Sequence, residues 1–333
     1  MSIKLSIIIV NWNSLDYLRK CIPSIYADPS LENFEVIVVD NASHDGSEQF
    51  LGECFPDARY VQSSVNLGFA KANNLGAAHA RGKMLLFLNP DTEVRDGAIE
   101  RLCGAFQRLP NPGAVGCRLL NSDGTLQTSC VQSFPTVLNQ LLDAEVLRQR
   151  FPKAHLWGTA PLYADGSAPA EVEAVSGACM MLSHEVFESV GGFDSEFFMY
   201  GEDLHLCFKT RQAGFHNYHF GGVEIIHHGG GSTRQLSNSS NAMMHESVYL
   251  LLLKSRGKLY SLCYRGTMVG AALCRLLLTV ALLPAYRARS KIREWNLSMR
   301  KWVTVLRWGL GLENRTDQCV ESAENSTLTG RNM

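Results

Sequence analysis

The sequence predicts an α/β fold in which a mostly parallel sheet is flanked by helices. Two observations carry this prediction. Short apolar runs alternate with helical stretches of roughly ten to fifteen residues over the first 120 residues, a spacing typical of βαβ units. Several runs are continuously rich in Val, Ile and Leu, as expected of parallel strands covered on both faces. Such strands are joined by right-handed crossovers.

Four segments are predicted as strands, and they are Leu5–Val10, Glu35–Val39, Arg59–Gln62 and Met84–Leu88. Each is too short for a typical helix and is bounded by residues that favour turns. The third run is the least apolar of the four. Together they predict the nucleus of the sheet.

The predicted helices begin after polar residues that follow the strands. Ser14 is expected to cap the first helix, which carries apolar side chains at helical spacing. The second helix is predicted over Ser47–Cys54 and the third over Gly68–Ala80. A later helix is predicted over roughly Asp203–Ala213.

Polar residues stand where three of the predicted strands end. Asn11 and Asn13 follow the first strand, Asp40 follows the second, and Asn89 and Asp91 follow the fourth. Ligands of open α/β sheets bind beyond the carboxyl ends of the strands. The three groups therefore predict one binding edge.

The chemistry of these side chains favours a nucleotide and a cation. Asp40 could accept hydrogen bonds from a ribose or a base beside a helix N-terminus suited to diphosphate; it could equally cap that helix. Asp91 could hold a divalent cation with phosphate oxygens completing the shell, or cap the helix beginning near Asp96. His227, which precedes a glycine-rich turn, could be the second metal ligand. Alone, it could also be a core histidine.

Two further segments carry candidate site residues. Glu202 and Asp203 stand at a predicted helix N-terminus, where the helix dipole keeps a carboxylate ionised and suited to be a general base. The alternative is simple helix capping. Aromatic residues just before them favour a site that stacks a sugar ring. Asn66 and Asn73 could reach a nucleotide or diphosphate, although Asn66 could instead cap the third helix.

Other features exclude several classes of protein. No GxGxxG motif follows the first strand, which disfavours a dinucleotide-binding dehydrogenase, and no GxxxxGK[ST] motif exists, which excludes a P-loop NTPase. The formal net charge of −1 does not indicate nucleic acid as a partner. Ten cysteines without a CxxC pair, and an N-terminus without a signal peptide, predict reduced thiols in the cytosol.

The basic residues concentrate near the C-terminus. Residues 254–315 hold thirteen Lys and Arg against two Glu, a charge of +11, while the remainder holds 18 against 30, a charge of −12. Within this segment Gly266–Tyr286 contains a single charge, Arg275, whose cost at a bilayer centre is about 2.5–3.5 kcal/mol. We therefore predict helices lying in a membrane interface. A membrane span and a soluble helical subdomain are the alternatives.

Taken together, the motifs resemble those of family 2 inverting glycosyltransferases, whose GT-A fold is Rossmann-like. The matching blocks occur in order and are IIIVNWN (Ile7–Asn13), VVDNAS (Val38–Ser43), NLGFAKANNLG (Asn66–Gly76), FLNPDT (Phe87–Thr92), the segment Val175–Phe215 and HHGGGS (His227–Ser232). The resemblance covers about residues 5–235 and is greatest to bacterial rhamnosyltransferase-like enzymes of cell-surface polysaccharide synthesis.

The resemblance implies a nucleoside-diphosphate sugar donor of the dTDP or UDP type and a Mg²⁺ or Mn²⁺ ion. Asp91 corresponds to the metal-binding last acid of a DxD-like motif whose first acid is replaced by Asn89, and His227 to the histidine of an H-x-x-G-x-S element. Asp203 corresponds to the catalytic base, with Glu202 the second candidate, and His205 stands where relatives often have a second Asp. The implied donor-binding set is Asn11, Asn13, Asp40, Asn66, Gly68, Asn73, Asn89, Asp91 and Gly177.

The predicted organisation follows from these assignments. Residues 1–240 form the catalytic domain, with a nucleotide-binding half at about 1–120 and an acceptor half at about 121–240. Residues 241–312 form a membrane-associating helical region, and residues 313–333 a disordered tail. The predicted function is transfer of a sugar, with rhamnose the candidate, to a saccharide acceptor on a polyprenyl diphosphate at the cytoplasmic face of the cell membrane.

Two other functions are left open by the residues. A sugar nucleotidyltransferase would need a glycine-rich, basic loop after the first strand, and Asn11-Trp12-Asn13 is neither. A non-catalytic protein that binds nucleotide sugars is supported mainly by Asn89, at the position of the missing acid. The retained acids at 91, 202 and 203 favour an enzyme.

Overall fold

The computed structural model describes residues 3–142, 145–163, 168–229 and 240–312. The chain divides into two compact units. The first contains residues 1–134 and 148–235, and the second contains residues 135–147 and 236–333. The short segment 135–147 is thus part of the second unit, although it lies within the sequence of the first. Residues 313–333, predicted as a disordered tail, lie outside the described residues.

The first unit is built on a mixed sheet. The strands of this unit are β1 (Leu5–Asn11), β2 (Phe34–Asn41), β3 (Arg59–Ser63), β4 (Met84–Leu88), β5 (Thr92–Glu93), β6 (Pro112–Leu120), β7 (Val131–Gln132), β8 (Pro169–Val172), β9 (Ala174–Val175), β10 (Cys179–Ser183) and β11 (His216–His227). Strands β7 and β9 form a separate two-stranded sheet. The order in the main sheet is β3-β2-β1-β4-β10-β6-β11-β5, and β8 pairs with β11. The first four strands are parallel, whereas β10 runs antiparallel to both β4 and β6.

Helices cover the sheet of the first unit and form most of the second. Those of the first unit are α1 (Leu15–Tyr26), α2 (Ser47–Cys54), α3 (Gly68–Ala78), α4 (Ala98–Arg108), α7 (His184–Ser189) and α8 (Glu202–Gln212). Between β7 and β8 lie α5 (Val137–Leu142), α6 (Glu145–Arg150) and short 3₁₀ turns at His155–Trp157 and Ala160–Tyr163. The second unit adds α9 (Ser240–Arg256), α10 (Lys258–Ala281), α11 (Leu283–Ala288) and α12 (Ile292–Gly309).

The predicted α/β fold is confirmed. Strands β1 and β4 are buried along their whole length, because helices cover both faces of the parallel part of the sheet. The predicted bounds of β4 and α2 are met, whereas β1 and β2 run further than expected. Asn11 and Asp40 are therefore the paired ends of adjacent strands, not loop residues.

The expected capping of α1 by Ser14 is wrong. The Ser14 hydroxyl makes no capping hydrogen bond and donates instead to the carbonyl of Trp12 (2.9 Å). The cap comes from Asp45, thirty residues away, whose Oδ2 accepts the N–H of Leu15 (2.9 Å). Because this carboxylate belongs to the loop after β2, it ties the ends of β1 and β2 together.

The second unit has a core of its own, formed by Ala242, Leu252, Tyr264, Met268, Ala272, Trp302, Val305 and Trp308. The apolar segment Gly266–Tyr286 is not one continuous helix. Helix α10 ends at Ala281, and α11 begins at Leu283 with Pro284 in its first turn, a position that proline favours. Among the described residues, α10 alone is long and apolar enough to cross a membrane by length and composition.

Candidate active site

The ends of β1 and β2 form the first of two polar clusters at one edge of the sheet, named here the nucleoside-side cluster (Asn11, Asp40, Ser43, Asp45, Ser47 and Gln62). Asp40 is fully buried. Its Oδ1 accepts the N–H of Ser43 (2.7 Å) and the amide of Gln62 (2.9 Å), and its Oδ2 accepts from Asn11 (3.0 Å) and Ser47 (2.8 Å). All four of its strong acceptor positions are thus used within the protein.

Asn13 and Asp45 extend this cluster across the strand ends. Asn13 adopts a left-handed backbone (φ +48°); its N–H donates to the Ser43 hydroxyl (2.9 Å) and its Oδ1 accepts the N–H of His44 (3.1 Å). Asp45 accepts from Asn11 (3.2 Å) in addition to capping α1. Sequence reasoning missed Asp45, because an Asp in a polar turn carries no signal of a contact thirty residues away.

The predicted residues of the third block also serve the scaffold. The Oδ1 of Asn66 accepts from Asn41 (2.8 Å) and from the N–H of Gly68 (2.9 Å). Asn73 is buried within α3 and donates to the carbonyl of Phe69 (3.0 Å). Direct contact of Asn66 and Asn73 with a donor therefore stays a prediction.

Gly68 is a point of close approach between two segments. Its backbone is left-handed (φ +74°), and a Cβ atom there would lie 2.4 Å from the carbonyl oxygen of Phe198. The N–H of Phe69 donates to that same oxygen (2.8 Å). Only glycine allows this contact, which docks the loop preceding α8 onto the start of α3.

The second cluster lies where the segment between β4 and β5 meets the end of β11, and it is named here the metal-side cluster (Asn89, Asp91 and His227). His227 Nε2 lies 3.2 Å from Asp91 Oδ1 and 3.3 Å from Asn89 Nδ2. The strand pairing explains this proximity, since β11 pairs with β5 and the N–H of His228 donates to the carbonyl of Asp91 (2.8 Å). The pairing thus brings together residues 136 positions apart in the sequence.

Hydrogen bonds to the other side of the imidazole orient His227. Gln127 Oε1 lies 2.8 Å from His227 Nδ1, and its Nε2 donates to the carbonyl of His227 (2.6 Å) and to Asn121 Oδ1 (2.9 Å). His228 is held in a similar way, with Nε2 at 2.7 Å from Glu93 and Nδ1 at 2.7 Å from the Ser122 hydroxyl. Sequence reasoning missed Gln127, which belongs to no motif.

The atoms of the metal-side cluster fit a divalent cation. In the tautomer whose Nδ1–H donates to Gln127, the Nε2 lone pair of His227 lies 3.2 Å from Asp91 Oδ1 and 3.3 Å from Asn89 Nδ2. Adjacent ligands of an ion with bonds of about 2.1 Å lie about 3 Å apart. Asn89 Oδ1 is buried without a hydrogen-bond partner, and so is a free neutral oxygen at the same place. Among the described residues no group of three His, Cys, Asp or Glu could hold a metal, so phosphate oxygens or water would complete the shell.

The two acids at the start of α8 differ in their hydrogen bonds. Asp203 Oδ2 accepts the N–H of Gly177 (3.0 Å) and Oδ1 accepts the N–H of Leu204 (2.7 Å). A Cβ atom on Gly177 would lie 3.3 Å from that of Asp203, so a larger residue at 177 would press on the acid. Glu202 is buried, and its Oε2 has no hydrogen-bond partner.

Burial raises the pKa of both carboxyl groups. For Glu202, burial and then the charge of Asp203 raise the pKa to about 8. Burial also raises the pKa of Asp203, but the N–H groups of Gly177 and Leu204 oppose that shift. The N–H groups of Gly177 and Leu204 favour the charged form of Asp203, whereas burial and the neighbouring charge favour the neutral form of Glu202.

The expected sugar-stacking role of the aromatic residues before Glu202 is not supported for two of them. Phe193 and Phe197 are both only 1% exposed and belong to the core, with the ring of Phe193 4.9 Å from that of Phe87. His205 is also buried, 5.2 Å from the Phe197 ring and 3.4 Å from Asp194. It therefore joins α8 to the preceding loop instead of lining an open acceptor pocket.

A short backbone segment connects the metal-side cluster to Asp203. The N–H of Asn89 donates to the carbonyl of Ala178 (3.0 Å), and the N–H of the preceding Gly177 donates to Asp203. The nucleoside-side cluster stands at the same edge, since β2, β1 and β4 are parallel neighbours at about 4.8 Å spacing. Gly230 and Ser232 of the predicted H-x-x-G-x-S element lie outside the described residues.

Comparison with known families identifies this arrangement. Residues 6–191 match the family model described as "Glycosyl transferase family 2". The chain belongs to this family. The match spans more than half of the sequence and includes both polar clusters apart from His227.

Curated relatives of this family 2 glycosyltransferase come from bacteria and archaea. It is 30% identical over 275 residues to an N-acetylglucosaminyl-diphospho-decaprenol L-rhamnosyltransferase of Mycobacterium tuberculosis. This match covers 78% of this chain and 88% of the relative. It is 25% identical to the rhamnosyltransferase WbbL of Escherichia coli over 75% of this chain and 93% of the relative. It is 29% identical to a hexosyltransferase of low-salt glycan biosynthesis, Agl10 of Haloferax volcanii, over 67% and 65%.

Solved structures share the fold at low sequence identity. The mannosyltransferase PcManGT of Pyrobaculum calidifontis, in complex with GDP-Man and Mn²⁺, superposes with a TM-score of 0.52 at 16% identity, covering 93% of this chain and 87% of the other. GalNAc-T7 with UDP, GalNAc and Mn²⁺ gives 0.56 at 15% identity, covering 75% and 48%. These likenesses show the GT-A fold. Family and relatives together establish glycosyl transfer over the nucleotidyltransferase and non-catalytic alternatives.

Proposed function

We propose that this family 2 glycosyltransferase inverts the anomeric carbon of a nucleoside-diphosphate sugar and transfers the sugar to a lipid-linked saccharide. One observation carries the proposal. One carboxylate, Asp203, is held by two backbone N–H groups and is joined through Gly177 and Ala178 to the metal-side cluster. An inverting displacement needs one base and one place to stabilise the leaving diphosphate, and needs no second carboxylate as nucleophile.

Asp203 is the proposed base. Its carboxylate takes the proton of an acceptor hydroxyl, and that oxygen forms a bond to the anomeric carbon from the face opposite the diphosphate. The bond between the anomeric carbon and the diphosphate oxygen breaks, and its electron pair leaves with the nucleoside diphosphate. The raised pKa of Asp203 brings its basicity nearer to neutral pH, where a general base is most effective. Burial and the charge of Asp203 raise the pKa of Glu202 to about 8, which makes it the weaker candidate.

The metal-side cluster is proposed to hold Mg²⁺ or Mn²⁺. Asp91 Oδ1, His227 Nε2 and Asn89 Oδ1 are the proposed ligand atoms. When bound, such an ion neutralises charge on the diphosphate. The missing first acid of the motif leaves one carboxylate at this site, which favours an ion that retains phosphate and water ligands.

The nucleoside end of the donor is proposed to lie at the nucleoside-side cluster. Because Asp40 is saturated by the protein, a base or ribose that contacts it must displace one of its donors, of which the exposed side chain of Gln62 is the outermost. The names of the Mycobacterium and Escherichia relatives support rhamnose as the sugar and a diphospho-polyprenol saccharide as the acceptor. A dTDP or UDP donor is proposed with them.

The enzyme is proposed to work at the cytoplasmic face of the cell membrane. A lipid-linked acceptor is confined to the bilayer, and the +11 charge of residues 254–315 attracts anionic headgroups at about 1 kcal/mol for each cation near the surface. The active site would thereby be held beside its acceptor.

A donor screen tests the proposal. The full-length protein is incubated with a panel of dTDP- and UDP-sugars, Mg²⁺ or Mn²⁺ and a diphospho-polyprenol N-acetylglucosamine acceptor, and nucleoside diphosphate release is measured. We expect release that needs the acceptor and the ion, and an NMR coupling constant of the product that reports inversion. Retention of anomeric configuration, or full turnover in EDTA, would contradict the mechanism.

A further inference from the structure

We propose that α10 lies in the plane of an anionic bilayer surface and contacts it with its exposed apolar side. This inference rests on the membrane association proposed above and specifies its geometry. The contact side, named here the outer stripe, consists of Leu259, Leu262, Leu273, Leu277 and Leu278 with the small residues between them. The exposure of these leucines ranges from 45% to 79%.

Helix α10 is apolar on two sides. Its buried side contributes Tyr264, Met268 and Ala272 to the core of the second unit, and its exposed side carries leucines. A helix on the surface of a soluble protein is instead polar on its exposed side. Large exposed apolar patches mark surfaces that meet a membrane or a partner. The outer stripe runs along most of a helix that is about 36 Å long.

The two arginines within α10 are turned away from the outer stripe. The Arg275 guanidinium lies over the ring of Trp302 in α12, 4.4 Å from its centroid. The Arg265 guanidinium lies over the ring of Trp308, also in α12, at 5.3 Å. Both cations are therefore kept in aromatic contacts inside the second unit and do not interrupt the apolar side.

The charges on α12 indicate whether α10 lies in the plane of the membrane or spans it. Helix α12 accompanies α10 over most of its length, from Trp295, which donates to the carbonyl of Thr279 (2.8 Å), to Trp308, whose carbonyl accepts from Arg265 (2.8 Å). Its exposed positions carry the cations Arg293, Arg300, Lys301 and Arg307. If α10 crossed the bilayer, α12 would cross with it and place these cations in hydrocarbon, which is strongly unfavourable. Lying in the plane instead leaves them at the headgroups.

Two native cysteines test the orientation. Cys263 and Cys274 are both exposed on α10, eleven residues or about 16 Å apart along its axis. Two full-length variants are made, both with Cys54→Ser and Cys319→Ser. One also has Cys263→Ser and is labelled at Cys274 with an environment-sensitive fluorophore, and the other has Cys274→Ser and is labelled at Cys263. Depth is read on vesicles of phosphatidylglycerol and phosphatidylcholine from quenching by lipids that carry a spin label at different depths.

In-plane binding predicts equal depths for the two labels, within about 3 Å. Depths that differ by 10 Å or more would show a span and overturn the inference. Vesicle binding without quenching of either label would also overturn it, while leaving the proposed membrane association intact. Failure of the protein to bind vesicles at all would refute that association itself.

A double variant tests the outer stripe directly. Leu273→Ser with Leu277→Ser should weaken partition into these vesicles about tenfold or more, since two exposed leucines lose their burial in lipid. Val65→Ser, at an apolar residue of the first unit that is 59% exposed, is the matched control and should leave partition unchanged. Equal partition of the double variant and the control would contradict the assignment.

A second inference is carried independently by the hydrogen bonds around His227. We infer that Gln127 is a positioning residue that sets the tautomer of His227. By accepting a hydrogen bond from Nδ1–H (2.8 Å) it leaves the Nε2 lone pair directed at Asp91, as a metal ligand requires. Its own amide donates to the His227 carbonyl, so one side chain fixes both the ring and the backbone.

Two variants of Gln127 separate positioning from a structural role. Gln127→Glu keeps an oxygen for Nδ1–H but loses the N–H donors, whereas Gln127→Met loses both. Affinity for Mn²⁺ in the presence of a nucleoside diphosphate, measured by calorimetry, should fall 10- to 100-fold in the Met variant and stay near wild type in the Glu variant. Asn121→Ala, which removes only the outer contact, is the control and should bind Mn²⁺ as wild type does.

Thermal unfolding shows whether each variant is folded. Should the Met variant not fold, Gln127→Asn, whose shorter side chain cannot reach Nδ1, takes its place. Unchanged Mn²⁺ affinity in the Met or Asn variant would overturn the inference. An equal loss in the Glu variant would overturn it as well, because the donors to the backbone would then be what matters.

Discussion

The nucleoside-side and metal-side clusters lie at the same edge of one sheet, yet they differ in how fully their polar atoms are hydrogen-bonded by the protein. In the first, Asp40 has four hydrogen-bond donors around it and no exposed surface. In the second, Asn89 Oδ1 has no partner, and His227 Nε2 faces a carboxylate. Buried polar groups are nearly always satisfied, so an unsatisfied one indicates that something outside the chain completes it.

This difference in hydrogen bonding indicates different roles for residues of the same type in the two clusters. Both clusters contain Asn and Asp at or just after the ends of buried strands. Asp40 organises two loops and their helices, whereas Asp91 lies beside the imidazole of His227 and is a proposed metal ligand. Removing Asp40 should therefore affect folding first, and removing Asp91 should affect binding first. The following variants break or sharpen that contrast.

The largest effect is expected for Asp203, which is attached to the metal-side cluster. Asp203→Asn should lower the rate of transfer about 10²- to 10⁴-fold, since the base is lost, while nucleoside diphosphate affinity in Mn²⁺ stays within about twofold. Glu202→Gln is the matched control and should retain most of the rate. A rate loss confined to the Glu202 variant would move the base to that residue.

The next effect is on binding at the metal side. Asp91→Ala should weaken nucleoside diphosphate affinity in Mn²⁺ roughly tenfold to a hundredfold, which is the loss expected for one charged interaction. Calorimetry with and without EDTA measures it, and EDTA should bring wild type to the level of the variant. Wild-type affinity in the Asp91 variant would remove the metal from this cluster.

The third effect is on stability at the nucleoside side. Asp40→Ala leaves four donors without their acceptor and should lower the free energy of unfolding by about 2–4 kcal/mol, as read from urea denaturation. Asp91→Ala should change it by less than about 1 kcal/mol. An Asp40 variant that folds as stably as wild type but loses donor affinity would reverse the contrast between the clusters.

The last effect is a pH dependence of stability, which over one pH unit is the smallest of the four. The pKa of Glu202 is raised from 4.5 to about 8 in the folded protein, so between these values the folded state holds a proton that the unfolded state has lost. Its contribution is therefore present below pH 4.5 and is lost as pH rises toward 8, by up to about 1.4 kcal/mol per pH unit. Glu202→Gln should flatten this slope in urea titrations at pH 5, 6, 7 and 8. An unchanged slope would place its origin elsewhere.

Much of the fold could be predicted from sequence periodicity. The bounds of α2 and β4 were predictable because apolar runs and turn residues mark them locally. The antiparallel insertion of β10 between β4 and β6 was not, because pairing of distant strands leaves no local signal. For the same reason, the sequence did not indicate that residues 135–147 belong to the second unit.

The site residues also divide into those with a local sequence signal and those without one. Asp91 and His227 were predictable as partners, because both follow apolar strands in a recognised order of motifs. Gln127 and Asp45 were not, because each acts on a residue that is far away in the sequence through a single side chain. The roles of Phe193 and Phe197 were misjudged because aromatic residues near an acid resemble a sugar site until their burial is known.

The contact of Gly68 with Phe198 has a consequence for how the enzyme can vary. A methyl group at position 68 would occupy the space of the Phe198 carbonyl and act as a wedge between the helix that follows the donor loops and the segment that leads to the acids. The start of α3 and the segment before α8 therefore meet at one contact that admits only glycine at position 68. Either segment can vary on both sides of this contact, whereas the contact itself tolerates no added carbon.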